Sequence, residues 1–234
     1  MEYVFNLSAI DKSHSICQEL SNNTNINTLI IKGCIHIEDI IIILNMLKNN
    51  KHIVQLNLSF CGISSDVVKI IFENLCHTNV EVLMLNDNFL IGDEGAHHIS
   101  KYINNTNLRH LSISGCNIKQ TGITDIINAC SKNNNLKTLD LNYNSCHEKV
   151  NINELLIYNI TLEKLYMYDV AICTLGFDEA IMHNQGLADL DISYYISKMD
   201  PDTFTCMKNI LARNKHNIYC KHTSLCSRLC NYML

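Results

Sequence analysis

The sequence predicts an α/β solenoid, in which short parallel strands alternate with helices in a stack of about seven repeats. Two observations support this prediction. A pattern of aliphatic residues recurs at intervals of 25 to 28 residues, and a stretch with helical apolar spacing follows it, as in residues 67–75. The repeats start at Ile26, Ile53, Val80, Leu108, Leu136, Leu162 and Leu187.

The strand of each repeat is predicted from repeat positions 3 and 5, where the starting residue is position 0. Residues two apart on a strand point to the same face, so these positions are expected to form the core. All fourteen are aliphatic or methionine, a register that chance would not produce. They are Leu29, Ile31, Leu56, Leu58, Leu83, Leu85, Leu111, Ile113, Leu139, Leu141, Leu165, Met167, Leu190 and Ile192.

Polar residues mark the bends on both sides of each strand. Asn or a small Cys at position 8 is expected to bond to backbone groups left unpaired after the strand. Position 8 is Cys34, Cys61, Asn88, Cys116, Asn144, Val170 or Tyr195, so the series lapses in the last two repeats. Position 13 is predicted to cap each helix N-terminus, with Asp39, Asp66, Asp93, Thr121 and Asp200 in five repeats. A left-handed bend is predicted three residues before each strand, at Asn23, Asn50, His77, Asn105, Asn133, Asn159 and Asn184.

No linker divides the chain, so one domain is predicted. Residues 26–212 form the repeats, residues 1–25 an N-terminal cap and residues 213–234 a C-terminal cap. In the N-terminal cap, Leu7 and Ile10 precede a helix expected around residues 14–20. The fifth repeat lacks a cap residue at position 13, so the segment after its strand is expected to be short or distorted.

Composition bounds the function. The 234 residues are 47% hydrophobic and 18% charged, with a net charge of -5, which indicates an ordered globular chain and gives no reason to expect nucleic-acid binding. The beginning of the chain lacks the features of a signal peptide, and the most apolar segment, Ile40 to Leu47, is too short to cross a membrane. The twelve cysteines are therefore interpreted as reduced thiols in a cytoplasmic protein.

The segment from Asn88 to Gly95, Asn-Phe-Leu-Ile-Gly-Asp-Glu-Gly, resembles the repeat core of ribonuclease-inhibitor-like leucine-rich repeats. The resemblance covers roughly residues 26–212. It implies a right-handed horseshoe in which a parallel sheet lines the concave face and helices cover the convex face. Members of this family inhibit enzymes, regulate small GTPases, bind cytoskeletal proteins or sense ligands in immune receptors.

In such a horseshoe, repeat positions 2, 4, 6 and 7 face the concavity. The C-terminal half of that surface is acidic and aromatic, which predicts a site where tyrosines anchor a basic protein partner and aspartates orient it. The predicted partner-binding residues are Asp140, Tyr143, Tyr166, Tyr168, Asp169, Asp189, Asp191 and Tyr194. The alternative is that these exposed strand positions carry tyrosine because it favours β-strands and aspartate because it keeps the surface soluble, without any binding role. An apolar trio in the N-terminal half, Ile30, Phe60 and Met84, is a second candidate.

The tail of the chain offers possible zinc ligands and a basic surface. Thiol and imidazole groups suit zinc, but the spacing lacks a Cys-x-x-Cys pair, so buried thiols are favoured and neither metal nor cofactor is predicted. The possible ligands are His216, Cys220, His222, Cys226 and Cys230. The basic residues Arg213, Lys215, Lys221 and Arg228 are expected to be a solvated surface rather than a contact for lipid or an acidic partner.

Catalysis has little support in the sequence. His110 and Ser112 share a strand face, but they are separated by about 7 Å. No acid orients the histidine, and an open concave surface does not exclude water. The leading hypothesis is a monomeric, non-enzymatic scaffold that binds a partner protein. The alternatives are an inhibitor or regulator of an enzyme such as a nuclease or small GTPase, and a structural or degenerate repeat protein without a dedicated site.

Overall fold

The computed structural model describes residues 1–6, 18, 20–21, 23–192 and 199–230, with side chains described for residues 1–4, 18, 20–21, 23–192 and 199–218. Predictions that fall on Leu7, Ile10, Tyr194 and Tyr195 lie outside these residues. The described residues include an eight-stranded sheet and a separate two-stranded sheet.

The eight-stranded sheet is parallel throughout, and each new strand lies beside the previous one. Its strands are β1 (Glu2–Asn6), β2 (Thr28–Lys32), β3 (Gln55–Asn57), β4 (Val82–Met84), β5 (His110–Ser112), β6 (Thr138–Asp140), β8 (Lys164–Tyr166) and β10 (Asp189–Asp191). The short strands β7 (Cys146–Val150) and β9 (Val170–Ile172) pair outside it. The order of strands confirms the predicted α/β solenoid.

Helices lie between the strands and return the chain to the next one, except for the last helix, which follows β10. They are α1 (Ile37–Asn49), α2 (Ser65–Leu75), α3 (Gly92–Tyr102), α4 (Gln120–Ser131), α5 (Asn153–Tyr158), α6 (Phe177–His183) and α7 (Pro201–Cys230), with a 3-10 turn at Ile103–Asn105. The fifth and sixth repeats have helices of only 6 and 7 residues because β7 and β9 occupy part of the return path. The predicted irregularity of the fifth repeat is therefore confirmed.

The core follows the predicted register. All fourteen side chains at positions 3 and 5 are buried, none more than 7% exposed. The ladder of backbone hydrogen bonds also continues beyond the assigned strands, since the N–H groups at positions 5 and 7 donate to the next repeat. Leu58 N–H donates to Met84 O at 2.8 Å, and Phe60 N–H donates to Asn86 O at 2.9 Å. The concave backbone is thereby fixed as far as position 7.

The buried polar series at position 8 joins neighbouring repeats. Asn88 Oδ1 accepts the N–H groups of Cys61 and Ile63 in the preceding repeat, both at 3.0 Å. Asn144 does the same for Cys116 and Ile118. The thiols of Cys61 and Cys116 donate to backbone oxygens, whereas Cys34 is exposed. The predicted role thus holds for Cys61, Asn88, Cys116 and Asn144, and the expectation for Cys34 is wrong.

The asparagines before the strands act differently from the prediction. Asn50, Asn159 and Asn184 are extended, with φ of -80°, -84° and -66°, rather than left-handed. Extended backbone lets the amide side chain bridge two repeats: Asn159 Oδ1 accepts Leu162 N–H at 2.7 Å while its Nδ2 donates to Cys130 O at 2.7 Å. At the corresponding bends of the third and fourth repeats, the hydroxyls of Thr78 and Thr106 donate to the backbone oxygens of Leu75 and Ile103.

Most of the predicted N-caps lie inside their helices. Asp39, Asp66, Asp93 and Thr121 fall in the first turn, where a carboxylate still interacts favourably with the helix dipole. Asp93 instead caps the neighbouring helix α4, because its Oδ1 accepts Lys119 N–H at 2.6 Å. Only Asp200 caps its own helix as predicted, accepting Thr203 N–H at 2.9 Å. The capping prediction missed that a carboxylate can reach the next repeat.

The two ends of the repeat stack differ from the expected caps in detail. At the N-terminus, β1 pairs with β2 and extends the sheet, ahead of the segment where Leu7 and Ile10 were expected to lead into a helix. At the C-terminus, α7 passes through residue 213 without a break, so the predicted cap begins within a helix. Buried Asn214 of α7 donates to Leu187 O at 2.8 Å and so attaches the helix to the last repeat.

Candidate functional site

The concave face changes in character along the stack. The central row consists of the position-4 side chains, which neighbour one another in register: Ile30, Asn57, Met84, Ser112, Asp140, Tyr166 and Asp191. This row is apolar at its N-terminal end, polar and small in the middle, and acidic and aromatic at its C-terminal end. The two ends therefore suit different chemical groups.

Tyr166 lies at the centre of the acidic end. Asp140 and Asp191 flank it in register on the two neighbouring strands. Its hydroxyl donates a hydrogen bond of 2.9 Å to Asp189 Oδ2. Partial burial raises the pKa of Tyr166 to about 12, together with the bond to Asp189 and the negative charges of Asp140 and Asp191. The phenol is therefore neutral at physiological pH, and its hydroxyl is engaged with Asp189.

Tyr143 and Tyr168 form the exposed part of the same end. Their ring centroids lie 5.2 Å apart with a tilt of 60° between the planes. Tyr143 is 61% exposed and Tyr168 is 40% exposed, so the contact leaves much of both rings accessible. Asp169 beside them accepts a hydrogen bond of 2.9 Å from the Ser145 hydroxyl. The pair offers a preformed aromatic surface of the kind that anchors protein partners.

The carboxylate of Asp140 connects the acidic end with the middle of the face. Its Oδ1 accepts Asn142 N–H at 3.0 Å, and its Oδ2 lies 2.9 Å from the Ser112 hydroxyl. Among the described residues, neither Asp140 nor Asp189 forms an ion pair. Lys164 neighbours Asp189 in register and offsets part of the charge. The remaining negative charge is available to a cationic group.

We call Asp140, Tyr143, Tyr166, Tyr168, Asp169, Asp189 and Asp191 the acidic-aromatic patch. These seven of the eight predicted residues lie on β6, β8 and β10 or directly after β6 and β8, on three adjacent strands. Tyr194 lies outside the described residues. The structure thus brings the described members together, while their role in binding stays a prediction.

Position 7 adopts a left-handed backbone conformation in each of the first six repeats, which the sequence interpretation missed. The residues, with φ between 56° and 97°, are Gly33, Phe60, Asp87, Gly115, Tyr143 and Asp169. A left-handed conformation suits glycine and is strained for a bulky side chain. The glycines at two of the six equivalent positions were the signal in the sequence. Two exposed aromatics, Phe60 and Tyr143, are therefore held at positions where glycine would be unstrained.

A pocket of about 440 Å³ opens at the apolar end of the face. Its walls include Ile30, Phe60 and Met84, the trio that the sequence suggested as a second candidate, with Lys32 and Asp87 beside them. Phe60 is 71% exposed. We call this the N-terminal pocket.

The Ser112 hydroxyl, which shares a strand face with His110, is bonded to side chains of the neighbouring repeats. The Ser112 hydroxyl is buried between Asn86 Oδ1 at 2.6 Å and Asp140 Oδ2 at 2.9 Å. Burial lowers the pKa of His110, an effect that Asp140 opposes and Lys164 reinforces. The serine oxygen is thus bonded to neighbouring repeats rather than presented to a substrate.

The candidate metal ligands of the tail, from Cys220 to Cys230, have side chains outside the described residues. Among the side chains that are described, no group of three His, Cys, Asp or Glu is arranged to hold a metal ion. The eight cysteines within that part of the chain are free thiols. Within the same part, no helix has the length and apolar character needed to cross a bilayer.

Comparison with known proteins found a family model and solved structures that are similar to this chain. A family model described as a leucine-rich repeat matches residues 49–66 and 104–126. The solved actin-binding site 2 of leiomodin-1 is 16% identical, with a TM-score of 0.54 over 80% of this chain and 95% of that one. The tropomodulin C-terminal domain of Caenorhabditis elegans is 14% identical, with a TM-score of 0.42 over 92% of this chain and 99% of that one. No curated protein matches the sequence. The repeat match, the parallel sheet with alternating helices and the leiomodin-1 likeness show that this chain has the leucine-rich-repeat fold.

Proposed function

We propose that the protein is a non-catalytic interaction scaffold that binds a basic partner protein through the acidic-aromatic patch. The observation that carries the proposal is the arrangement around Tyr166. Its ring lies between Asp140 and Asp191 and is fixed by its bond to Asp189. An exposed tyrosine pair stands beside it. Rigid aromatic anchors within a field of carboxylates suit recognition of Lys and Arg on a protein surface.

The shape of the patch favours a protein over a small molecule. Three adjacent parallel strands span about 10 Å, and the surface that they form is open. Small-molecule sites enclose most of their ligand, whereas a shallow polar and aromatic surface suits a loop or helix of another protein. The leiomodin-1 domain, which has the same fold, is described as an actin-binding site. That description supports a protein as the class of partner.

We further propose the ribonuclease-inhibitor-like subtype, on the basis of repeat spacings of 25 to 28 residues with a helix after most strands. The free thiols at the eight described cysteines suit a reducing, cytoplasmic environment. We take the working form to be a monomer without a cofactor. Size-exclusion chromatography with light scattering tests the monomeric state, and elution as a stable dimer would contradict it.

To test the acidic-aromatic patch, the amount of partner protein captured by the unmodified chain is compared with the amount captured by two matched double variants. Asp189→Asn with Asp191→Asn removes two negative charges from the patch, and Asp178→Asn with Glu179→Gln removes two from helix α6 on the other side of the solenoid. We expect the first variant to lose most of the protein captured by the unmodified chain and the second to retain it. The loss should resemble that caused by raising the salt concentration, since salt screens the same attraction.

One observation favours the competing hypothesis of a structural repeat protein without a dedicated site. Tyr143 and Tyr168 pack on each other, as tyrosines on an idle β-surface would. Capture that is equal for the unmodified chain and for the two double variants would support that hypothesis and contradict the proposed patch.

A further inference from the structure

The N-terminal pocket has features that the fold alone does not require. Ile30, Met84 and the exposed ring of Phe60 surround a volume of about 440 Å³ on repeats one to three. Ile30 and Met84 belong to the same central row as Tyr166, so the pocket and the acidic-aromatic patch share one continuous concave face. A segment lying along that face would contact both.

The backbone at Phe60 adopts a conformation that is strained for a residue with a large side chain. Its φ of 59° is left-handed, a conformation that glycine adopts freely at the equivalent positions Gly33 and Gly115. Because most of the ring is exposed, burial within the chain recovers little of that cost. Strained conformations of this kind concentrate at ligand contacts. The combination of strain and exposure indicates that the ring serves a contact outside the chain.

Tyr143 repeats the arrangement at the other end of the face. It occupies position 7 of the fifth repeat with a φ of 56° and is also exposed. In the two repeats between these aromatic residues, position 7 carries the smaller residues Asp87 and Gly115. A Cβ on Gly115 would lie only 2.5 Å from Asp87 Oδ1, so a side chain at this position would displace the Asp87 carboxylate. We call the part of the concave face between the two exposed aromatic residues, Phe60 and Tyr143, the trough.

We propose that this trough holds a single segment of a partner protein in two places. An apolar side chain of the segment enters the N-terminal pocket, and a Lys or Arg of the same segment meets the acidic-aromatic patch. Charge complementarity sets the direction in which the segment lies along the face. Asp140 and Asp189, which form no ion pair within the described chain, lie at one end and attract its Lys or Arg, while the apolar pocket with Lys32 lies at the other end. The inference rests on the proposed function and adds the chemistry and spacing of the partner.

The distance between the N-terminal pocket and the acidic-aromatic patch follows from the number of strands between them. Strand β3, which precedes Phe60, and strand β8, which carries Tyr166, are four strand intervals apart in the sheet. At about 4.8 Å per interval the two anchors lie about 19 Å apart. An extended segment covers that distance in about six residues at 3.3 Å each. A helix needs about thirteen residues at 1.5 Å each.

The probe for the test is a phage-displayed library of random peptides of about 18 residues, long enough to cover the distance as a helix. Peptides selected on the full chain are then titrated by fluorescence anisotropy. We expect the selected sequences to pair an apolar residue with Lys or Arg about six or about thirteen residues away. Peptides without this pairing, or no selected peptides at all, would overturn the inference.

Variants separate the pocket from the patch. Phe60→Gly removes the ring and relieves the left-handed strain, so the fold should persist, and Phe60→Asn also suits that conformation. We expect both variants to weaken binding of the selected peptides about tenfold or more, as loss of a buried anchor does. The matched control Phe89→Ser removes an equally exposed phenylalanine outside the pocket and should change the Kd by less than about twofold.

Each remaining outcome decides between the two proposals. If Asp189→Asn with Asp191→Asn weakens binding while Phe60→Gly and Phe60→Asn do not, the acidic-aromatic patch acts alone. The two-anchor inference is then wrong and the proposed function stands. If only the Phe60 variants weaken binding, the pocket binds without the patch, which contradicts both proposals. Weakening by all of them, with Phe89→Ser unchanged, supports the two-anchor inference.

Discussion

Replacing Asn88 by alanine tests how the repeats are held together. The side chain is buried, and its Oδ1 accepts Cys61 N–H and Ile63 N–H at 3.0 Å each. Its Nδ2 donates to Leu58 O at 3.0 Å and Leu85 O at 2.7 Å. One amide therefore satisfies backbone groups from two adjacent repeats. Asn88→Ala removes these four bonds, and a longer one of 3.4 Å to Asn86 O, without changing the residues of the strands.

The expected loss of stability is large. Leu85 O keeps another donor, because the Cys116 thiol lies 3.2 Å from it. The other three backbone groups, Cys61 N–H, Ile63 N–H and Leu58 O, lose the bond to Asn88, and each group left unsatisfied costs about 1–3 kcal/mol. Allowing for relaxation and entry of water, we expect the free energy of unfolding to fall by about 4 kcal/mol. That is a large share of the roughly 5–15 kcal/mol that stabilises a typical domain.

The measurement is urea unfolding followed by circular dichroism. With a slope of about 2 kcal/mol per molar urea, the midpoint should fall by about 2 M. Asn128→Ala is the matched control, since Asn128 is exposed on helix α4, and it should change stability by less than about 0.5 kcal/mol. Asn88→Cys should fall between the two, because a thiol can replace a donor but cannot accept both N–H groups. If Asn88→Ala unfolds at the same urea concentration as Asn128→Ala, the repeats are not held together by this amide.

Three further predictions concern single groups. Cys34 is exposed and should react with a thiol reagent in the folded protein, whereas burial raises the pKa of Cys116 to about 12 and should leave it unreactive until urea unfolds the chain; equal rates would contradict this. The raised pKa of Tyr166 means that the folded state favours the neutral phenol, so its contribution to stability is present below pH 10 and lost as the pH rises towards 12. An absorbance titration of the phenolate, taken as the difference from Tyr166→Phe, should show a lower pKa in Asp189→Asn, and an unchanged value would refute the role of Asp189. Gly115→Ala should lower stability in urea by about 2 kcal/mol, since it adds left-handed strain and a contact with Asp87, and a loss below about 0.5 kcal/mol would be inconsistent with both.

The strand register was predictable because it depends on local alternation. Positions 3 and 5 carry aliphatic side chains in every repeat, and a shift by one residue would turn them out of the core. The caps were less predictable because their partners are distant in sequence. Asp93 bonds to Lys119 and Asn159 bonds to Cys130, contacts that form only after neighbouring repeats stack. A single repeat does not contain the information needed to assign them.

The position of the candidate site was predictable, but the state of its groups was not. Alternation along the strands correctly brought Tyr166 and Asp189 to neighbouring positions of one face. It gave no sign that the tyrosine hydroxyl donates to that carboxylate, or that the Ser112 hydroxyl is buried between Asn86 and Asp140. Those bonds depend on the side-chain conformations that residues on adjacent strands adopt once the sheet has formed. The sequence therefore predicts which residues meet and leaves their hydrogen bonding to the assembled sheet.

At position 7, the backbone conformation is required by the fold, whereas an aromatic side chain is not. In the first six repeats the bend after the strand contains a left-handed residue, and Gly33 and Gly115 adopt that conformation without strain. Phe60 and Tyr143 adopt it while carrying large, exposed rings, so neither the local backbone nor the core explains the choice of an aromatic residue. A repeat protein without a binding role would gain stability from glycine at both places, because a left-handed residue with a side chain costs about 1–2 kcal/mol. The residues that the fold least requires on the concave face are thus the ones that most favour the proposed binding of a partner protein.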